Sequence, residues 1–224
     1  MAGISAKIGE ICARIGKDPG DIVLVGVTKY AQAAQINEAL GAGLKHIGEN
    51  KVQDARRKLS ALPKSAAQVT KHMIGHLQTN KVRQCLETFD LIQSVDSVKL
   101  ANAIEAQAEK LDKVADILVQ VNTAGEEQKF GVAPADVFEL VDHIARLRHV
   151  RLLGLMGMAP LGGGEPVTRR CFRDLRLLCD GINQRYKDIP SVHMKYLSMG
   201  MTDDFEIALE EGANMVRIGR AIFQ

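Results

Sequence analysis

A chain of 224 residues with a formal net charge of +2 can form one large α/β domain or two small ones, and it carries no electrostatic footprint for nucleic acid. Hydrophobic residues make up 46%, aromatics only 4%, and Trp is absent, so the core must be aliphatic, as in a parallel sheet covered by helices. No apolar run reaches the ~18 residues of a membrane span, and the N-terminus lacks the apolar stretch of a secretory signal.

In chain order, the pattern predicts an N-terminal helix over about 3–16 and a first strand over 22–28 that stops on Lys29. A helix over Gln32–Leu40 is halted by Gly41 and Gly43, strand two is Lys45–Gly48, and a helix runs over about 51–59. Strand three is His72–Gly75, with a helix over Thr79–Glu87. Strand four is Leu91–Ser94, with a helix over Ser97–Leu111. Strand five is Asp116–Val121, and Pro134 opens a helix over Ala135–Leu147. Strand six is Leu152–Met156, and a Gly162-Gly-Gly loop leads to a helix over Val167–Tyr186. Strand seven is Met194–Ser198, a helix covers Asp204–Glu211, strand eight is Met215–Ile218, and a short tail follows.

Eight strand–helix alternations without a linker predict one domain over residues 1–224, a (β/α)₈ TIM-type barrel with an extra N-terminal helix. The alternative is an open doubly wound sheet, which would normally carry Gly-x-Gly-x-x-Gly after strand one; this chain has Gly-Val-Thr-Lys-Tyr there.

Three strand-end segments carry chemistry. Lys29 puts an amine where α/β proteins bind ligands, and such an amine can form a Schiff base with an aldehyde. Gly48-Glu49-Asn50 and His72–Lys81 follow strands two and three. Ser198-Met-Gly200-Met-Thr202-Asp203 and Arg217-Ile-Gly219-Arg220 follow strands seven and eight, where barrels commonly hold phosphate. Ser198 can donate its hydroxyl, Gly200 and Gly219 allow close backbone approach, Thr202 or Asp203 can cap the next helix, and Arg220 adds a cation. The plainer alternative makes these glycines turn residues only. By alternation Arg217 faces opposite to Ile218, either into the barrel mouth or into a buried ion pair with Glu49. His46, His72 and His76 lack metal spacing with a third ligand, so no metal site is expected. Cys12, Cys85, Cys171 and Cys179 form no Cys-x-x-Cys, which fits reduced thiols in the cytoplasm.

On Val25-Gly-Val-Thr-Lys29, His46-Ile-Gly-Glu-Asn50, His72–Lys81, Lys129-Phe-Gly131, Gly154-Leu-Met156, Ser198–Phe205 and Val216–Phe223, the chain resembles the pyridoxal phosphate homeostasis protein family, a relative of the alanine racemase barrel. The resemblance implies that Lys29 carries pyridoxal 5′-phosphate as a Schiff base, the internal aldimine. It also implies that Ser198, Gly200, Gly219 and Arg220 hold the phosphate, that Arg217 faces the pyridine nitrogen, and that Asn50 and Met156 lie near the ring. Two departures stand out: Lys29-Tyr-Ala-Gln32 replaces Lys-Thr-Lys-Pro, and Arg220 replaces Thr. The family's members are cofactor carriers that regulate vitamin B6 and amino-acid balance. Expected partners are therefore the cofactor, free amino acids and cofactor-dependent apoenzymes, with a monomer the expected state.

A racemase needs a base on each face of the substrate. Lys29 serves one face, and Tyr30 is the only tyrosine near it in sequence; the domain that supplies the second base in larger racemases is expected to be absent. A carrier without efficient turnover is therefore expected. The alternatives are a weak amino-acid racemase or lyase, and a barrel enzyme for phosphorylated sugars that uses Lys29.

Overall fold

In the computed structural model, which describes residues 1–62, 68–126 and 130–223, eight parallel strands close into a barrel in chain order. They are β1 (Val23–Val27), β2 (His46–Glu49), β3 (Thr70–Met73), β4 (Leu91–Val95), β5 (Ala115–Val121), β6 (Val150–Gly157), β7 (Val192–Ser198) and β8 (Met215–Ile218). Helix α1 (Ala2–Ile15) precedes them. Between and after them lie α2 (Ala33–Gly41), α3 (Val52–Ser60), α4 (Val82–Thr88), α5 (Val98–Lys110), α6 (Val137–Ile144), α7 (Gly164–Arg185), α8 (Phe205–Glu210) and α9 (Arg220–Phe223). β1 closes the ring by pairing on both sides: Val25 sits beside His46 of β2 and beside Arg217 of β8. An open doubly wound sheet keeps β1 central but leaves two edge strands; here the ladder returns from β8 to β1 and none of the eight strands is an edge, so that alternative falls.

Strand alternation sorts the side chains into two cores. Val25, Leu91, Leu118, Met156 and Met215 come from five strands spread around the ring, so they can touch only inside it; they form a buried interior cluster. Their strand neighbours Ile92, Ile117, Leu155, Val216 and Ile218 face outward and join the larger core beneath the helices. The strands are buried on both faces, which explains their continuous apolar runs. Outside, α1 is tied to α8 by Arg14–Glu210 and by Lys7–Glu206 at 3.7 Å, and Arg169 of α7 bonds Glu210 at 2.8 Å and Glu211 at 3.2 Å.

The differences from the predicted boundaries have local causes. β3 begins at Thr70 and ends at Met73; Ile74 N–H makes the last bond to β2, to Glu49 O at 3.0 Å, and Gly75 then passes tight against the Asn50 backbone. Pro134 opens a 3₁₀ turn over Pro134–Asp136, and the α-helix begins at Val137. α7 starts at Gly164 with Pro166 in its first turn, where a missing N–H is tolerated. The predicted tail is α9, whose Ile222 and Phe223 donate their N–H groups to Gly219 O. Lys129 of the quoted Lys129-Phe-Gly131 run lies outside the described residues.

Candidate functional site

The carboxyl ends of β1, β7 and β8 and the loop after β6 frame a cavity of about 340 Å³, in the range of ~300–1,000 Å³ typical of small-molecule sites. Lys29, Tyr30, Leu161, Met201, Thr202, Asp203, Arg217, Gly219 and Arg220 line it.

Lys29 lies two residues past β1, on the inward parity of Val25 and Val27, and is exposed at the mouth. β1 ends at Val27 and the chain turns at Lys29-Tyr30, which carries the Lys29 side chain out of the strand to the open end of the barrel. The Lys29 Nζ lies 4.9 Å from the centre of the Tyr30 ring, which is 78% exposed. The turn itself is pinned from behind. Buried Thr28 donates its hydroxyl to Glu49 Oε1 at 2.7 Å. Lys58 of α3 reaches under the turn, donating to Glu49 Oε1 at 2.7 Å, to Lys29 O at 3.1 Å and to Thr28 O. Glu49 is therefore the partner of Lys58 and Thr28, and the alternative ion pair with Arg217 does not form.

The loops after β7 and β8 lock together. Gly200 has φ +93°, and a Cβ there would stand 2.6 Å from Ala208 Cβ, so only glycine fits; its carbonyl accepts the Arg217 N–H at 3.0 Å. Arg220 pairs with Asp203 across the cavity rim. Neither Thr202 nor Asp203 caps α8. Asp204 precedes that helix and accepts the Met201 N–H at 2.6 Å, while burial pushes its carboxyl above the usual value. A Cβ on Gly219 would lie 3.3 Å from Val27 O, so the glycine lets β8 end close against β1.

Inside the barrel a row of buried polar groups replaces the apolar layer. The Arg217 guanidinium donates to Ser198 Oγ at 2.7 Å and to Gly157 O at 2.9 Å. Ser198 Oγ bonds Gln93 Oε1 at 2.7 Å, Gln93 Nε2 meets His72 Nδ1 at 2.8 Å, and His72 Nε2 meets His46 Nδ1 at 3.1 Å. Burial pulls the Arg217 pKa down to about 10, countered by Asp204, so the guanidinium stays charged near neutrality. Burial, helped by His46, pushes His72 down to about 3; burial and Lys45 also lower His46.

Lys29, Arg217, Gly219 and Arg220 thus share one cavity. Gly200 shapes the loop behind it. Ser198 lies beneath it with its hydroxyl committed to Arg217 and Gln93, because β7 parity turns the side chain into the barrel. Met156 is buried in the interior cluster, and Asn50 is half-buried after β2; neither lines the cavity. Sequence reasoning missed Lys58 and Gln93. Gln93 had a signal, a lone amide inside the apolar run Leu91-Ile-Gln-Ser-Val95, whereas Lys58 had none, being one of three consecutive basic residues on a helix.

The family model "Alanine racemase, N-terminal domain" matches residues 9–224. The chain is 39% identical over 223 residues to the pyridoxal phosphate homeostasis protein of Aquifex aeolicus, covering 100% of this chain and 95% of that one. A solved structure of PipY from Synechococcus elongatus with PLP bound is similar at TM-score 0.82 and 35% identity, covering 97% of this chain and 100% of that one. A protein of unknown function from Bifidobacterium adolescentis is similar at TM-score 0.94 and 34% identity, covering 99% and 92%.

Two outcomes follow from the buried charges. Lys58→Met should destabilise the fold by about 3–5 kcal/mol, because it leaves the Glu49 carboxylate buried without its cation. Adding Glu49→Gln should restore part of the loss in urea unfolding. Stability should also fall with acid before the carboxylates titrate. His72 stays neutral in the fold to about pH 3, while the unfolded chain takes up a proton near pH 6.5. Stability is therefore full above that value and is lost as pH falls toward 3, at up to ~1.4 kcal/mol per pH unit from His72. Urea midpoints at pH 7 and pH 5 check this; equal midpoints contradict it.

Proposed function

This chain belongs to the pyridoxal phosphate homeostasis protein family, and we propose that it binds pyridoxal 5′-phosphate at Lys29 and acts as a carrier and regulator of that cofactor and of amino-acid balance. The observation that carries the reading is one cavity holding an accessible lysine amine and a buried, charged guanidinium.

The residues present fit the group. When bound, it supplies an aldehyde that reacts with amines and a ring that accepts electrons. Lys29 offers the amine, held at the barrel mouth by the clamp of Lys58 and Glu49. Gly219, Gly200 and the backbone of the loop between them and α8 form the phosphate side. Arg220 supplies a cation there that Asp203 now shares, so phosphate competes with a carboxylate for it. Arg217 would face the ring nitrogen and, able only to donate, would hold the lone pair that a proton would otherwise take. Ser198 serves through Arg217, Met156 supports the ring side from beneath in the interior cluster, and Asn50, outside the cavity lining, could act only through its neighbours.

An unprotonated ring nitrogen accepts little negative charge, which disfavours removal of a proton from a bound amino acid. Among the described residues, Tyr30 is the only tyrosine lining the cavity, and it is mostly exposed. A carrier needs neither group. It needs a covalent link that incoming amines can reach, and Lys29 is exposed. Free amino acids then release the cofactor, cofactor-dependent apoenzymes receive it, and the protein acts as a cytoplasmic monomer. Among the described residues no helix is long and apolar enough to cross a membrane.

Borohydride reduction of the loaded protein, followed by peptide mapping, should place the adduct on Lys29; an adduct mainly on Lys51 or Lys81 overturns the assignment. Loaded protein incubated with L-alanine in deuterated water should exchange the α-proton slowly. Exchange at the ~1–1000 per second of ordinary enzymes would make it a catalyst instead.

A further inference from the structure

We propose that Gln93 and His72 are positioning residues for Arg217, holding its guanidinium through a hydrogen-bond chain whose donors all point one way, from Arg217 at the carboxyl end of the barrel to His46 at the amino end. The link to ligand binding rests on the functional reading above; the direction of the chain does not.

The direction follows from the chemistry of the first member. A guanidinium has five donors and no acceptor. At 2.7 Å from Arg217, Ser198 Oγ must therefore accept. Its own hydrogen is then free for Gln93 Oε1, also at 2.7 Å. With Oε1 on the Ser198 side, Gln93 Nε2 stands against His72 Nδ1 at 2.8 Å and Met215 Sδ at 3.1 Å. An amide nitrogen only donates, so His72 Nδ1 is the acceptor. A neutral imidazole keeps one proton, which must sit on Nε2, and Nε2 donates to His46 Nδ1 at 3.1 Å. His72 is neutral because burial beside a second histidine disfavours the imidazolium. Gln93, Ser198 and His72 are at most 1% exposed, so no water competes for these bonds.

Reversal is blocked at one end, because Arg217 cannot accept. Every dipole in the row presents its negative end toward the cation. Such aligned bonds reinforce one another in a dry interior. The guanidinium is held at two points, Ser198 Oγ and Gly157 O, and Ser198 is held in turn by Gln93. Without Gln93 the hydroxyl can swing, and Arg217 must be reordered each time a ligand binds.

The first test needs no ligand. In ¹⁵N-labelled, ligand-free protein, long-range ¹H–¹⁵N correlation spectra should show His72 protonated on Nε2 with a lone pair on Nδ1. Protonation on Nδ1, or an average of both forms, overturns the chain. Gln93→Glu removes the donor, since a carboxylate can only accept, so His72 Nδ1 should become protonated; an unchanged Nδ1 overturns the assignment. The second test measures pyridoxal phosphate affinity. Gln93→Leu should weaken binding about tenfold while borohydride still marks Lys29. Unchanged affinity in a variant with native unfolding behaviour overturns the positioning role. Failure of the wild-type protein to bind pyridoxal phosphate counts against the functional reading, and the ring-nitrogen result distinguishes that failure from failure of the chain.

Discussion

A guanidinium inside a barrel can give hydrogen bonds but cannot take one, and much of this site follows from that restriction. Arg217 stands at the position on β8 where alternation turns the side chain inward, above an interior otherwise packed with Val25, Leu91, Leu118, Met156 and Met215. A charge left unpaired there would be untenable, since burying an isolated ion costs several kcal/mol even after relaxation. The surrounding strands supply acceptors rather than a counter-ion: a carbonyl from the end of β6 and a hydroxyl from the end of β7, with the Asp204 carboxyl adding a longer-range attraction. Among the described residues no carboxylate pairs directly with Arg217, and this matters. An Arg–carboxylate pair is saturated and nearly neutral, whereas a guanidinium held by neutral acceptors keeps its charge available to the cavity it lines.

The amine side is built on the opposite plan. Lys29 is exposed, but its backbone is fastened by a buried ion pair one strand away. Lys58 and Glu49 neutralise each other, and Lys58 spends its remaining donors on the two carbonyls of the turn. The two cations at the cavity therefore differ in kind. One has a fixed side chain with live charge, and the other has a fixed backbone with an exposed side chain.

The barrel was legible because eight apolar runs alternate with helical segments, and strand parity needs only counting: that Arg217 and Ile218 face opposite ways could be assigned from the sequence, while which of them faces inward needed the fold. The cavity residues Lys29, Gly219 and Arg220 were legible for the same reason, as strand-end residues of neighbouring strands. What escaped depends on register and depth. Ser198, the expected last residue of strand seven, reads as a free hydroxyl donor until that hydroxyl is seen committed to Arg217 and Gln93 inside the barrel. Asp203 reads as a cap until it is seen paired with Arg220. The Lys58 clamp joins residues of three elements by side-chain reach alone, which no periodicity encodes. His46 and His72 were read only as histidines without the spacing of a metal site, which assigned them no role; in the fold they face each other in a line of hydrogen bonds, with Gln93 filling the next place.

For the proposed carrier, this asymmetry separates recognition from release. Specific recognition requires a rigid donor at a defined place, and rigidity is cheapest where burial and a chain of neighbours already immobilise the group, as at Arg217. Exchange requires the opposite: a covalent partner that solvent amines can approach from the open side, as at Lys29. If both groups were buried, the ligand would be trapped. If both were exposed, it would be held by little more than a screened surface charge. Placing one at the depth of the β8 ladder and the other two residues past β1 lets a single cavity hold a ligand by its far side while leaving its near side open to attack.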